Sequence, residues 1–252
     1  MAFRVPFVLS WIAVAGTLLF GFHGAINLAL SAEIVVESVK PAGSPATTDR
    51  YGVTREDFRR LSSVLPDAKH IVPVREMAVR AVHGERQLAI RFIGTTPEYR
   101  HVEELTIEQG RFLMQKDLDN RNNIAVVETT TAQRLFPGGQ AIGGNIRISG
   151  HYFLIVGLVE PRPVTSSNKR EASRPARVLI PLTTMQSRFG DTVLQTRTGS
   201  FQVEHYELSR IHIMLETAAS LDQGVAIIQS LMNKYHEKQD YSVRKIPTSA
   251  RD

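Results

Sequence analysis

Three hydrophobic patterns follow one another along this chain. From Val5 to Leu30 there is no Lys, Arg, Asp or Glu, and no later stretch compares with it. A helix crossing a hydrocarbon core needs about 20 apolar residues, so residues 1–32 are expected to hold one N-terminal transmembrane helix. Arg4 precedes the run and Glu33 and Glu37 follow it. That asymmetry places the amino terminus in the cytoplasm and everything past residue 32 outside. The same run also fits a cleaved signal peptide ending at Leu30-Ser31-Ala32, or a buried core helix. Both export readings send the remaining chain across the membrane.

The second pattern mixes short alternating runs with one amphipathic helix. Glu33 to Val39 is rich in β-branched residues and predicts a strand. After a polar Pro/Gly loop from Pro41 to Arg50, Thr54 and Asp57 stand at capping-box spacing. Phe58, Leu61, Val64 and Leu65 then share a helix face, and Pro66 ends it. Ile71 to Val82 and Gln87 to Gly94 predict two strands around the turn His83-Gly84-Glu85-Arg86. This pattern returns from Glu207. Arg210 to Glu216 alternates as a strand, Ser220 and Gln223 are spaced as a second capping box, and Tyr241 to Ile246 closes as a strand. Val225, Ile228, Leu231, Met232 and Tyr235 form the apolar face of the helix between them.

Between these halves lies a glycine-rich, mostly β region, residues 95–206. Strands are expected at Ile124–Val127, Asn145–Ile148, Tyr152–Val159 and Arg177–Ile180, with short helices over Thr129–Phe136 and Thr183–Phe189. The expected fold class is therefore α+β. A ferredoxin-like βαβ-βαβ unit (residues 33–94 plus 207–246) is interrupted by a mostly β inserted unit (95–206), with an N-terminal helix before and a tail (247–252) after.

Composition narrows the chemistry. Of 252 residues none is cysteine, which removes disulfides, thiol nucleophiles and Cys-ligated zinc. The net charge of +5 falls short of the dense basic stripe of a nucleic-acid binder, and no nucleic-acid partner is expected. Gly138-Gly139-Gln140-Ala141-Ile142-Gly143-Gly144 follows a helix and lacks the Lys-Ser/Thr of a phosphate loop, so it reads as backbone turns. Asp117, Asp119, Asn120, Asn122 and Asn123 cluster oxygen ligands, but Arg121 occupies the fifth calcium-loop position and the required glycine is missing, which favours a solvated turn. The histidines past the apolar run have no zinc spacing and read as surface or half-buried residues. Glu103 and Glu104 are adjacent, and in an extended segment would point opposite ways. No serine sits in a nucleophile motif. No catalytic residue, cofactor site or metal site is predicted. Arg162, Lys169, Arg170, Arg174 and Arg177 form a basic loop, read as solvated or as a contact to an acidic partner or lipid headgroups.

One ordered set of segments is distinctive. It runs Ile93-Gly94-Thr95-Thr96-Pro97-Glu98-Tyr99, Leu105 to Leu113 (LTIEQGRFL), Asp117, Ile124-Ala125-Val126-Val127 and Ala132-Gln133-Arg134-Leu135-Phe136-Pro137. It continues with Ala141 to Ile148 (AIGGNIRI), Phe153 to Val159 (FLIVGLV) and Val178-Leu179-Ile180-Pro181-Leu182. The set resembles the periplasmic core domain of macrolide-exporter (MacB-type, FtsX-like) ABC transporter permeases, over roughly residues 33 to 246. The resemblance implies a porter-like α/β unit interrupted by a mostly β one, placed after the first of four membrane helices. It also implies a non-catalytic role relaying motion from an ATPase to periplasmic partners. This chain stops six residues after Ile246, without three further helices or a Walker motif.

The resemblance makes ABC permease or ATPase subunits, or a periplasmic adaptor, the expected partners, with self-association left open. Arg162, Arg170, Arg174, Gly138 and Gly139 are the candidate contact residues. The expected location is the inner membrane, single-pass, with the bulk periplasmic. Two alternatives stay open: a free-standing periplasmic binding or chaperone module released by signal cleavage, and a split permease gene product.

Overall fold

The computed structural model describes residues 32–41, 50–161, 176–197 and 200–246. The predicted N-terminal helix, the basic-loop residues Arg162, Lys169, Arg170 and Arg174 and the tail lie outside these residues. Among the described residues, no helix is long and apolar enough to cross a membrane.

Four strands make the first layer. β1 (Ala32–Ser38), β2 (Ala68–His83), β11 (Arg210–Leu215) and β12 (Tyr241–Ile246) are ordered β12-β1-β11-β2, every pairing antiparallel. Helix α1 (Arg55–Val64) links β1 to β2, and α6 (Leu221–Tyr235) links β11 to β12. Each helix thus connects two strands with a third lodged between them, a split βαβ unit made twice. Both helices pack on one face, over Ile34, Val36, Ile211, Ile213 and Leu215, and contribute Leu61, Ile228 and Met232 to that core.

Local chemistry explains the helix ends. Thr54 accepts from the Asp57 amide and Asp57 accepts from the Thr54 amide, the reciprocal cap that the spacing predicts. Ser220 differs: it ends a 3-10 turn (Ala218–Ser220) with αR backbone, and its hydroxyl meets Thr217 Oγ1 at 3.3 Å instead of capping α6. The expected second capping box does not form, because a residue already in helical conformation aims its side chain away from the first amides.

The second layer is a closed ring. β2 pairs with β3 (Arg86–Thr95), β3 with β8 (Ala176–Pro181), β8 with β5 (Ile124–Glu128), and β5 with β7 (His151–Val159). β6 (Asn145–Ile148) then bridges β7 back to β2 through Ala81 and Val82, which closes six strands into a small barrel. Its interior holds Ala81, Ile90, Phe92, Val127, Ile146, Ile148, Phe153, Ile155, Val178 and Ile180. Helices α4 (Thr129–Leu135) and α5 (Leu182–Phe189) add Leu135 and Met185 to this core. A third core lies outside the barrel wall, where α2 (Tyr99–Val102), Leu105 and Phe112 cover Val72, Val74, Ile93, Val126 and Leu179. The hairpin of β9 (Thr192–Arg197) and β10 (Ser200–His205) forms a separate two-stranded sheet.

β4 (Ile107–Gly110) crosses β7 with Gly110 opposite Gly157. A Cβ at Gly157 would stand 2.0 Å from the Arg111 carbonyl oxygen, and one at Gly110 would stand 2.2 Å from that of Val156. Only glycine fits either side of so close a crossing. Asp117, in α3 (Gln115–Asp119), fixes the same region: it takes a two-point contact from Arg111, the Met114 amide at 2.9 Å and Asn122 Nδ2 at 3.0 Å. Gly110, Arg111, Asp117 and Gly157 of the distinctive sequence set are thereby explained by one corner.

Candidate functional site at the junction of the two cores

β2 belongs to both layers, and its inward phase records the change. Ile71 packs with the first core, Met77, Val79 and Ala81 with the barrel, and Arg75 stands between them with its side chain 1% exposed. A buried arginine needs partners. Arg75 Nη1 donates to the Gly190 carbonyl and to Asp191 Oδ1 at 3.1 Å, while its Nε and Nη2 are buried without a protein partner. Its guanidinium lies 5.7 Å from the Tyr206 ring centre, within cation–π range.

Asp191 follows Gly190, the C-cap of α5 in the barrel layer, and reaches back to α1 of the first layer. Arg55, the first residue of α1, forks onto Asp191 at 2.9 and 2.7 Å and lies 3.2 Å from Glu207 through Nε. Glu207 Oε2 also accepts the Arg55 amide at 3.0 Å, a carboxylate at a helix N-terminus where it is favoured. The Arg55 hydrogen bonds are the main reason Asp191 is held below the usual carboxylate range.

A second chain of charges crosses the other face of the same strands. Arg91 on β3 forks onto Glu76 on β2 at 2.6 and 2.7 Å, and Arg210 on β11 donates to Glu76 Oε2 at 3.0 Å. Arg210 Nε donates to His212 Nε2 at 2.8 Å, so the ring proton stands on Nδ1 and goes to Glu33 on β1. Burial pushes the Glu76 carboxyl up, but the two arginines outweigh it and hold it below its ordinary value. The series Glu33–His212–Arg210–Glu76–Arg91 thus ties the start of β1 to the barrel wall across four strands.

Outside the junction, Arg177 does not belong to the basic loop. It lies on β8, buried, with Nε on Glu128 at 2.6 Å and Nη1 on Glu103 at 3.1 Å. Glu103 and Glu104 close a helix rather than an extended segment, and Glu104 has positive φ. Gly138 and Gly139 form an exposed turn after α4, with Gly138 at φ +71°. That turn and the junction are separate features of the fold. The junction residues are absent from the sequence-based candidates. The available signal was an arginine, Arg75, at the core-facing phase of the run Ile71-Pro73-Arg75-Met77-Val79. Among the described residues, no group of three or more His, Asp or Glu could hold a metal ion.

Similarity to known proteins follows the same outline. Residues 9–231 match the family model described as the MacB-like periplasmic core domain. A macrolide export ATP-binding/permease protein MacB of Rhodospirillum rubrum is 30% identical over 152 residues, which is 60% of this chain and 21% of that protein. An uncharacterised ABC transporter permease, YknZ of Bacillus subtilis, is 21% identical over 199 residues, 79% of this chain and 45% of that protein. The matched part is therefore less than half the length of either relative. Among solved structures, the periplasmic region of MacB from Actinobacillus actinomycetemcomitans superposes with a TM-score of 0.63 at 15% identity, over 86% of this chain and 89% of that one. The extracellular domain of YknZ from Gram-positive bacteria gives a TM-score of 0.63 at 18% identity, over 84% of this chain and 99% of that one. These structures share the mixed α/β, sheet-rich fold. Because that family model matches residues 9–231 of the 252, the chain belongs to the MacB-like periplasmic core domain family.

Proposed function

We propose that this chain is a non-catalytic, extracytoplasmic part of an ABC-type export assembly that passes conformational change between a membrane-side unit and a distal barrel. The observation carrying this reading is the pairing of Glu33 with Ile246. The strand entering from the apolar N-terminal run and the last strand of the domain meet at one end of the first layer. The barrel hangs from the other end, chiefly on β2. In this reading the four-stranded unit is ferredoxin-like and porter-type, and its boundary with the barrel falls inside β2, at Arg75. A rigid continuous strand with ion pairs on both faces suits a lever, because small shifts at one end are converted into alternative packings rather than absorbed.

The residues before Ala32 anchor the chain in the inner membrane with the bulk outside, and its partners are permease or ATPase subunits or a periplasmic adaptor. The exposed turn at Gly138 and Gly139 and the basic residues Arg162, Arg170 and Arg174 are contact surfaces in this assembly. Co-purification of the full chain from detergent extracts tests the reading. Recovery of an ABC ATPase or permease subunit in fixed proportion is the expected result. A chain that purifies alone, with a mature terminus near Glu33, would overturn it.

A further inference from the structure

The barrel's outer wall is covered by α2 and the Leu105–Leu113 segment over only part of its area. Beyond them one patch is bare. Strand register places Arg80, Val82, Gln87 and Ala89 on this face of β2 and β3, with Asn145 and Arg147 of β6 beside them. Tyr152 and Leu154 of β7 lie opposite Arg147 and Asn145 and complete it. Tyr152 is 63% and Leu154 41% exposed, two of the largest exposed apolar side chains among the described residues.

Charge sorts what could cover them. None of these register positions carries a carboxylate. Arg91, next along β3 on the same face, is committed to Glu76. Arg80 reaches only Gln87 Oε1, at 3.5 Å, and neither Arg80 nor Arg147 has a carboxylate partner among the described residues. An aromatic and an aliphatic anchor flanked by two uncommitted arginines have the make-up of an interface core with a basic rim. Distance separates a protein from a lipid surface as the occupant. From Ala68, beside the Ala32 end of the sheet, to Arg80 the strand advances about 40 Å at roughly 3.3 Å per residue, which takes the patch well away from a bilayer at residue 32.

We propose that the Arg80–Arg147–Tyr152–Leu154 patch docks an acidic protein segment that places an apolar side chain against Tyr152 and Leu154. This rests on the reading of the chain as a component that works through partners, and it names the surface and the partner's chemistry. The complementary charges would speed encounter and set specificity, and the two apolar side chains would supply the desolvated contact.

The test uses the full chain in neutral detergent and a fluorescein-labelled peptide of alternating Glu and Leu, with an alternating Lys and Leu peptide as its counterpart. Saturable anisotropy with the acidic peptide alone is expected. It should weaken about tenfold or more in Arg80→Glu/Arg147→Glu and severalfold in Tyr152→Ser. All three positions are exposed, and Arg80→Gln/Arg147→Gln, which removes charge without reversing it, should fall between. Equal binding by wild type and charge-reversed chain, or no saturation by the wild type, would overturn the proposal. So would vesicles containing phosphatidylglycerol that bind through the arginines while the peptide does not. Co-purification with transporter subunits is read separately, so loss of the patch and loss of the wider function are distinguishable.

Discussion

Asp191→Asn is the sharpest perturbation of the junction. It keeps the side chain's volume and one oxygen acceptor but removes the charge facing Arg75 and the fork facing Arg55. Arg55 and Asp191 are 23% and 22% exposed, so solvent screens their pair and its loss costs about 1 kcal/mol. Arg75 is different, being buried with two nitrogens already lacking partners. Two unit charges 3.1 Å apart attract by roughly 5 kcal/mol at an effective dielectric near 20. Desolvation cancels much of that, yet stripping one partner from a buried pair costs about 3–5 kcal/mol. With the acceptor oxygen retained, the expected net loss is about 3 kcal/mol, or a fall in Tm of about 6–12 °C for a domain of this size. Circular dichroism melts and urea titrations of the full chain measure it. Arg75→Met in the Asp191→Asn background removes the stranded charge and should recover most of the loss, a coupling that a double-mutant cycle reads directly. A loss under about 1 kcal/mol, or no recovery in the double variant, would refute the reasoning.

Other outcomes follow from single contacts. His236 bridges Asp57 at 3.1 Å and Asp240 at 2.8 Å; the hydrogen bonds it donates to Asp57 and then Asp240 raise its pKa despite burial. Its contribution is complete below about pH 6.5 and is lost as pH rises through the raised value. Burial pushes the Asp57 carboxyl up, but His236 and Thr54 outweigh it and leave it lowered, so its contribution is lost only as pH falls through that lowered value. His236→Gln should therefore cost about 2 kcal/mol at pH 5.5 and progressively less as pH rises through the raised His236 pKa, read from urea midpoints across a pH series. Gly157→Ala forces a Cβ against the Arg111 carbonyl and should destabilise by about 3 kcal/mol in the same titration, while Gly84→Ala, at a hairpin turn with open space, should cost less. Glu128→Ala removes the acceptor of both Arg177 Nε and the Arg177 amide and leaves the buried guanidinium to Glu103 alone, so a loss of about 3 kcal/mol is expected, whereas Arg177→Met paired with it should recover part.

Local chemistry was legible in the sequence and long-range pairing was not. The cap at Thr54 and Asp57, the Pro66 stop and the strands over Asn145–Ile148 and near Ile124–Val127 follow from spacing within a few residues. The barrel depends on Ala81 meeting Ile148 and on the parallel pairing of Ile90 with Ala176. No local pattern encodes such registers, because an alternating strand accepts any partner of matching phase. Ser220 shows a local signal overridden, since the preceding 3-10 turn had already set its backbone. The junction was hidden for a further reason: Arg55, Arg75, Asp191 and Glu207 are scattered over more than a hundred residues, and only the return of the chain after the barrel brings them together.

The central claim, that motion passes between the membrane-side unit and the barrel through β2, has one direct test. Spin labels at Ser63, exposed on α1, and Gln87, exposed beside the β2–β3 turn, report the separation of the two units in the full chain within the proposed complex with an ABC ATPase. Adding nucleotide should shift the Ser63–Gln87 distance by about 2 Å or more, and Asp191→Asn should abolish the shift while the complex stays assembled. An unchanged distance distribution in the wild-type complex would contradict the account.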